Sequence, residues 1–142
     1  MCKFLIVDGD PDSRSLFATI IQRCPENHEV AVIGVRDLAI RMVRSQYFDV
    51  IITGMSIPAR KSGGKVDVAG GLAVARATLN SLEQAFVLLV SGSLLVSGSL
   101  SPDHSETETM TFDYRAERIR IVPQPEVALE ELARRGILSL PC

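Results

Sequence analysis

Acidic and small residues stand at the ends of two apolar runs in this sequence. Asp8, Gly9 and Asp10 follow the first run, and Gly54 ends another, four residues before Pro58. Carboxylates can hold a divalent cation through hard oxygen ligands, and a carboxylate can also be the nucleophile in phosphoryl transfer. Glycine offers neither function. The residue types therefore indicate part of a phosphoryl-transfer site, with acids at positions 8 and 10 and no nucleophile at position 54.

The elements that would position these residues alternate between short apolar runs and helical periodicity, which predicts crossover units and a parallel sheet. Five strands are predicted, at Lys3–Val7, Glu29–Ile33, Val50–Thr53, Phe86–Val90 and Arg118–Val122. The apolar face predicted for the first helix comprises Leu16, Phe17, Ile20, Ile21 and Cys24. Further helices are expected after the second strand, from Gly71 and from Pro125. The fold class is therefore α/β, with a doubly wound five-stranded parallel sheet flanked by helices.

The segments Lys3–Asp10 and Phe48–Pro58 together resemble the receiver domain of two-component response regulators, the CheY-like domains with a flavodoxin-like fold. In that family one strand ends in two adjacent acidic residues. Another ends in the aspartate that accepts the phosphoryl group, four residues before a proline. Counting back from Pro58 gives Gly54, so the resemblance implies a degenerate receiver that lacks its phosphoacceptor.

The resemblance identifies five positions of a degenerate phosphorylation site, namely Asp8, Gly9, Gly54, Ser91 and Gln124. Asp8 matches the first acid of the pair, and Ser91 matches the hydroxyl residue that ends the fourth strand of receivers. Gly9 replaces the second acid, and Gly54 replaces the phosphoacceptor. Gln124 stands where receivers have a lysine before a proline. Every departure removes a group that phosphoryl transfer to a carboxylate needs.

Asp8 and Asp10 are the candidate metal ligands, but two carboxylates give too little negative charge to retain magnesium. Asp10 precedes Pro11 and is better explained as a helix N-cap. His28 and His104 have neither metal-ligand nor catalytic-triad spacing, and we interpret both as surface or loop residues. We therefore expect no metal, no cofactor and no enzymatic activity.

Length, net charge and cysteine content limit the number of domains, the partners and the location to be expected. The 142 residues suit a single receiver-like domain spanning 1–142, and the net charge of −2 argues against nucleic-acid binding through bulk charge. A local basic patch is not excluded by that argument. The three cysteines lack metal-ligand spacing, which favours reduced thiols and a cytoplasmic location. The apolar stretch Leu88–Leu100 is shorter than the roughly 20 residues that span a bilayer, so no membrane segment is expected.

Two segments depart from the receiver pattern in length or content. The loop 59–70 is longer than usual and suggests an insertion beside the site. LLVSGS occurs twice in tandem, starting at Leu88 and at Leu94, and it would extend the strand, form a hairpin or offer two registers. Polar, turn-rich sequence from Ser101 to Thr109 stands where receivers have their fourth helix, which we expect to be lost or remodelled.

These observations predict a phosphorylation-independent pseudo-receiver that acts as a signalling or regulatory protein-interaction module. Its partner would be a protein of a signalling pathway, with a homodimer as a further possibility. The candidate partner-binding regions are the segment Ser93 to Tyr114 and the helix Glu126 to Arg135. Two alternatives stay open. The protein could be a small-ligand sensor that uses the emptied acidic pocket, or a receiver phosphorylated at an atypical residue such as Asp8 or Asp10.

Overall fold

The computed structural model describes residues 1–60, 66–90 and 118–139. Its strands are β1 (Lys3–Val7), β2 (Glu29–Ile33), β3 (Val50–Gly54), β4 (Ile57–Pro58), β5 (Val66–Asp67), β6 (Phe86–Val90) and β7 (Ile119–Val122). Its helices are α1 (Pro11–Gln22), α2 (Arg36–Ser45), α3 (Gly70–Ser81) and α4 (Pro125–Arg134). The five strands predicted from the sequence are all present.

The main sheet has five strands in the order β2-β1-β3-β6-β7, and all four of its strand pairs are parallel. Helices cover both faces of this sheet. One core cluster joins the sheet to α2 and α3 through residues such as Val43 and Val74. The other joins it to α1 and α4 through residues such as Phe17 and Leu132. The doubly wound α/β fold predicted from the sequence is thus confirmed.

The two middle strands β1 and β3 are almost entirely apolar, which suits their burial in the sheet. Phe4 to Val7 on β1 and Val50 to Ile52 on β3 are at most 1% exposed, because each of these strands is covered on both faces. The edge strand β2 is more accessible, and Val32 is 47% exposed. The carboxyl ends of the buried strands meet at one edge of the sheet, where the residues predicted to do chemistry lie.

Local predictions hold with small corrections. Asp10 caps α1, and its carboxylate accepts a hydrogen bond from the backbone N–H of Asp12. Phe17 and Ile21 face the core as expected, but Leu16 is 45% exposed and does not belong to the buried face. Arg118 precedes β7 and lies outside the strand. Its guanidinium donates to the carbonyl oxygens of Leu82 and Ala85.

The segment after β3 contains structure that the sequence did not predict. β4 and β5 pair antiparallel as the base of a small hairpin, with Ile57 opposite Asp67 and Pro58 opposite Val66. The loop 59–70 was treated as an irregular insertion, whereas its last residues form β5 and the start of α3. Residues 61–65 lie outside the described residues.

Several predictions fall on parts of the chain that the structure does not describe. They concern Ser91, the second copy of the LLVSGS repeat, the remodelled fourth helix and the candidate segment Ser93 to Tyr114. Among the helices of the described ranges, none combines the length and the apolar character needed to cross a membrane.

Candidate functional site at the carboxyl end of the sheet

Asp8 and Gly54 lie side by side at the carboxyl end of the sheet. β1 and β3 are neighbours, with Val7 opposite Thr53, so Asp8, which follows β1, and Gly54, the last residue of β3, reach the same edge. A Cβ atom placed on Gly54 would lie 3.6 Å from both Cγ and Oδ2 of Asp8. The structure therefore brings together Asp8 and Gly54, the acid and the phosphoacceptor position that the resemblance identifies.

Packing does not require glycine at position 54. The 3.6 Å separation from the Asp8 carboxylate is an ordinary van der Waals contact, and these carboxylate atoms are the nearest neighbours of the added Cβ. Gly71, at the start of α3, is the contrasting case, because its Cβ would lie 2.1 Å from the carbonyl oxygen of Gly54. Gly71 is thus needed for the close approach of α3 to β3. Gly54 is not required by packing, so it differs from the receiver pattern only in its chemistry.

Gly9 has less space for a side chain than Gly54, because β4 of the small hairpin packs against it. A Cβ on Gly9 would lie 2.9 Å from Cδ of Pro58 and 3.9 Å from Cα of Ile57. A second acid at this position would therefore have to displace β4. The two positions where the resemblance expects an acid therefore differ. Gly54 has space for a side chain, whereas Gly9 is covered by Pro58.

Burial dominates the electrostatics of Asp8. Its carboxylate accepts a hydrogen bond from the backbone N–H of Asp10, with an Oδ1 to N distance of 2.9 Å. Desolvation nevertheless raises the pKa of Asp8 above its ordinary value, and the nearby charge of Asp10 raises it further. The hydrogen bond and the charge of Arg14 act in the opposite direction and are smaller. Asp8 is thus a carboxylate held in a place that disfavours its charge.

Arg14 and Gly34 belong to this site, and sequence reasoning missed both. Nη1 of Arg14 donates to the backbone carbonyl oxygen of Asp8 at 2.7 Å. The guanidinium occupies the space beside Gly34, where a Cβ would lie 2.1 Å from Nη1. The sequence gives little indication of this contact. A glycine after β2 shows that it leaves space for Arg14 only once α1 is packed against it.

Asp10 serves the backbone of α1. Its Oδ1 accepts from the N–H of Asp12 at 3.0 Å, and its Oδ2 accepts from the hydroxyl of Ser13 at 3.2 Å. The N-cap interpretation is confirmed. Among the described residues at this edge, Asp10 uses both oxygens for the helix cap and Gly54 has no side chain, which leaves few of the oxygen ligands that a divalent cation prefers. Within the described ranges, no cluster of three or more His, Cys, Asp or Glu side chains could hold a metal.

Gln124 is exposed and stands at the N-cap of α4, where its side chain makes no capping hydrogen bond. Its backbone carbonyl accepts from the N–H groups of Val127 and Ala128. Ser91, the remaining position of the degenerate site, lies outside the described residues. The geometry of the site therefore rests on Asp8, Gly9 and Gly54.

His28 lies in the loop before β2, as predicted, but a surface position is wrong for its side chain, since the residue is only 7% exposed. Its Nδ1 accepts a hydrogen bond from the backbone N–H of Cys2 at 2.9 Å, and its ring contacts Phe4 edge to face. Nε2 lies 3.3 Å from a carboxylate oxygen of Glu26. The side chain thus joins the start of β1 to the turn before β2, at the end of the sheet away from Asp8. His104 lies outside the described residues.

A group of ion pairs surrounds Glu131 on α4, away from Asp8 in sequence. This residue is 8% exposed, and its carboxylate pairs with Arg134 and Arg135 and lies 3.5 Å from Nε of Arg120. Arg135 also lies over the ring of Phe86, 3.9 Å from its centroid. The hydrogen bonds from Arg134 and Arg135 lower the pKa of Glu131 to about 2.

Comparison with known proteins identifies the fold. No family model matches the chain. No curated protein matches it either. Among solved structures, the response regulator TrrA of Thermotoga maritima, in complex with Mg²⁺ and BeF, has a TM-score of 0.63 at 19% identity, over 97% of this chain and 100% of that one. Chemotaxis response regulator CheY4 of Vibrio cholerae gives 0.62 at 20% identity, over 94% of this chain and 98% of that one.

NtrX of Brucella abortus, in complex with ATP, has a TM-score of 0.60 at 20% identity. That match covers 96% of this chain but 27% of NtrX, so the chain spans about a quarter of the length of that protein. Together these likenesses show that the chain has the fold of CheY-like response regulator receiver domains. At these identities they establish the fold alone.

Proposed function

We propose that this protein is a phosphorylation-independent pseudo-receiver, which acts as a signalling or regulatory protein-interaction module. The observation that supports this most directly is the pairing of Asp8 with Gly54. The place beside the retained acid has room for a side chain, and it carries none. Phosphoryl transfer to a carboxylate needs a nucleophile, a bound divalent cation and a balancing positive charge. The described residues of the site supply none of these in a receiver-like arrangement.

The surroundings of Asp8 and Asp10 also weigh against either residue as a substitute acceptor. Asp10 uses both oxygens to cap α1, so attack on a phosphodonor would cost that cap. Asp8 has a raised pKa, and the carboxylate of nearby Asp10 is already used in the helix cap. A receiver phosphorylated at an atypical residue remains the rival that the following experiment decides.

The test is intact-mass analysis after incubation with Mg²⁺ and a small acyl phosphate, with a conventional receiver treated in parallel. We expect no phosphoryl adduct on this protein while the control is modified. The variant Gly54→Asp, treated in the same way, separates loss of the nucleophile from loss of the rest of the site. An adduct on the unaltered protein would overturn the proposal, and peptide mapping would show whether Asp8 or Asp10 carries it.

A protein-interaction role requires a surface, and α4 offers one in the described part of the chain. Glu126, Glu130 and Arg134 recur at intervals of four residues and are all exposed, while Ala128, Leu129 and Leu132 face the core. This division of faces leaves a charged stripe available to a partner. The small-ligand alternative stays a prediction, and a thermal-shift screen of metabolites would test it.

A further inference from the structure

An open groove of about 590 Å³ lies on the outer side of α2. Its described lining residues are Asp37, Ile40, Arg41, Arg44 and Ser45, all from this one helix. Ile40 is partly buried and packs against the core, whereas Arg41 and Arg44 are exposed. The described part of the groove therefore has an apolar floor at Ile40 and a rim with two arginines and the Asp37 carboxylate, which pairs with Arg36. We call it the α2 groove.

The acidic groups near α2 are already used by another arginine. Arg36 pairs with Asp67 at 2.6 Å and with Asp37 at 2.7 Å. The pair with Asp67 fixes the β4–β5 hairpin to the start of the helix, and the pair with Asp37 lies within the helix. In residues 1–60, 66–90 and 118–139, neither Arg41 nor Arg44 forms an ion pair. The α2 groove thus keeps two uncompensated cations on a protein whose net charge is −2.

The spacing of these residues defines what would fit. Arg41 and Arg44 are three positions apart and so are neighbours on the helix surface, with Ile40 beside them. A guanidinium binds a carboxylate through two parallel hydrogen bonds, which makes arginine well suited to acidic groups at an interface. The matching surface would carry two carboxylates around one apolar side chain.

The helix dipole accounts for part of this arrangement. Arg44 lies in the last turn of α2, where a cation is favourable. That effect acts at the end of the helix and needs no groove. It explains neither the apolar floor at Ile40 nor why Arg41 has no acid paired with it among the described residues. A role for the pair in helix stability alone is distinguished below by measuring stability together with binding.

We propose that the α2 groove binds an acidic segment of a protein partner, with carboxylates on Arg41 and Arg44 and an apolar side chain against Ile40. The inference rests on the proposed function as a protein-interaction module and adds to it the surface and the chemistry of the partner. Nucleic acid is the less favourable occupant, because two free arginines give little attraction for phosphates on a protein of net negative charge.

The experiment is an NMR titration of the full chain, labelled with ¹⁵N, with a synthetic peptide in which glutamates flank a leucine. The same peptide with glutamine in place of glutamate is the ligand control. We expect saturable shifts in the amides of α2 with the acidic peptide only. The double variant R41E/R44E should bind about tenfold more weakly, as expected for the loss of two exposed charge pairs.

Arg23→Glu provides the matched protein control, since Arg23 is exposed at the end of α1 and the charge change at each site is the same. This variant should bind as the unaltered protein does. The variants R41K/R44K keep the charge and should retain most of the affinity, and thermal melts of all variants separate binding from helix stability. A change in melting temperature without a change in affinity would assign the arginines to the helix alone.

Four results would overturn the proposal. They are no binding of the acidic peptide, shifts confined to another surface, equal affinity in R41E/R44E, or stronger binding of duplex DNA than of the peptide at the same residues. The last result would assign the groove to nucleic acid. Because no phosphodonor is present, failure here is distinguishable from an adduct in the mass experiment, which would overturn the pseudo-receiver proposal instead.

Discussion

Asp8 at the carboxyl end of β1 and Glu131 near the end of α4 are two carboxylates in opposite surroundings. Three arginine side chains gather around Glu131, and its pKa falls to about 2. Asp8 has a backbone hydrogen bond and a raised pKa, and the position facing it is glycine. The contrast indicates that the charge of Glu131 stabilises the fold. Under the pseudo-receiver proposal, the charge of Asp8 belongs instead to a site that lacks its phosphoacceptor.

The largest predicted effect is a loss of stability. It tests whether Gly54, unlike Gly71, has space for a side chain. Gly71→Ala would push a Cβ into the backbone carbonyl of Gly54, and we expect the free energy of unfolding to fall by about 3 kcal/mol. Gly54→Ala is the matched variant, and it should change stability by less than about 1 kcal/mol because its Cβ meets only an ordinary contact. Urea unfolding measures both. Equal losses would show that the edge is packed uniformly.

A carboxylate at position 54 should reveal the missing interaction directly. Gly54→Asp would place a like charge beside Asp8, and we expect a loss of about 2 kcal/mol at neutral pH that Mg²⁺ partly reverses. The isosteric Gly54→Asn introduces no charge and should show neither the loss nor the response to Mg²⁺. Thermal melts with and without Mg²⁺ make the comparison. If both variants behave alike, charge at this edge has no special role.

Removal of the charge of Glu131 should destabilise the protein. Because its folded pKa is lowered from 4.5 to about 2, its contribution is present above pH 4.5 and is lost as the pH falls toward 2. Glu131→Gln should therefore cost about 1–2 kcal/mol at neutral pH, and the difference from the unaltered protein should vanish near pH 2. Urea unfolding at several pH values measures it. A difference that does not depend on pH would point to packing.

The smallest effect has the opposite sign. The folded pKa of Asp8 is raised above its ordinary value of 3.8, so ionisation costs stability at neutral pH, and this cost is absent below pH 3.8. Asp8→Asn keeps an acceptor for the N–H of Asp10 and should raise the free energy of unfolding by about 0.5 kcal/mol at neutral pH. Stability loss on this substitution would show that the Asp8 charge supports the fold after all.

The sequence predicted the architecture well because its periodicities are local. The strand bounds at β1, β2 and β6 agree with the structure, and Asp10 next to Pro11 identified the start of α1. The resemblance to receiver domains implied that Asp8 and Gly54 share one site, and the parallel pairing of β1 with β3 brings their carboxyl ends to one edge.

What the sequence did not predict depends on contacts between distant segments. Arg14 reaches the carbonyl of Asp8 only because Gly34 leaves space for it, and Pro58 covers Gly9 only because β4 pairs with β5. His28 is buried by Phe4 and Cys2, which lie more than twenty positions away in sequence. None of these contacts leaves a periodic or motif signal in its own segment.

The central claim is that the carboxyl end of the sheet no longer forms a cation and phosphoryl site. A titration of the unaltered ¹⁵N-labelled protein with Mg²⁺ tests it most directly, with the amides of Asp8, Gly9, Asp10 and Gly54 as reporters. We predict no saturable shift of these amides at millimolar Mg²⁺, while Gly54→Asp shows one. Saturable shifts at Asp8 and Gly54 in the unaltered protein would contradict the claim, because they would show that the remaining groups still assemble a metal site.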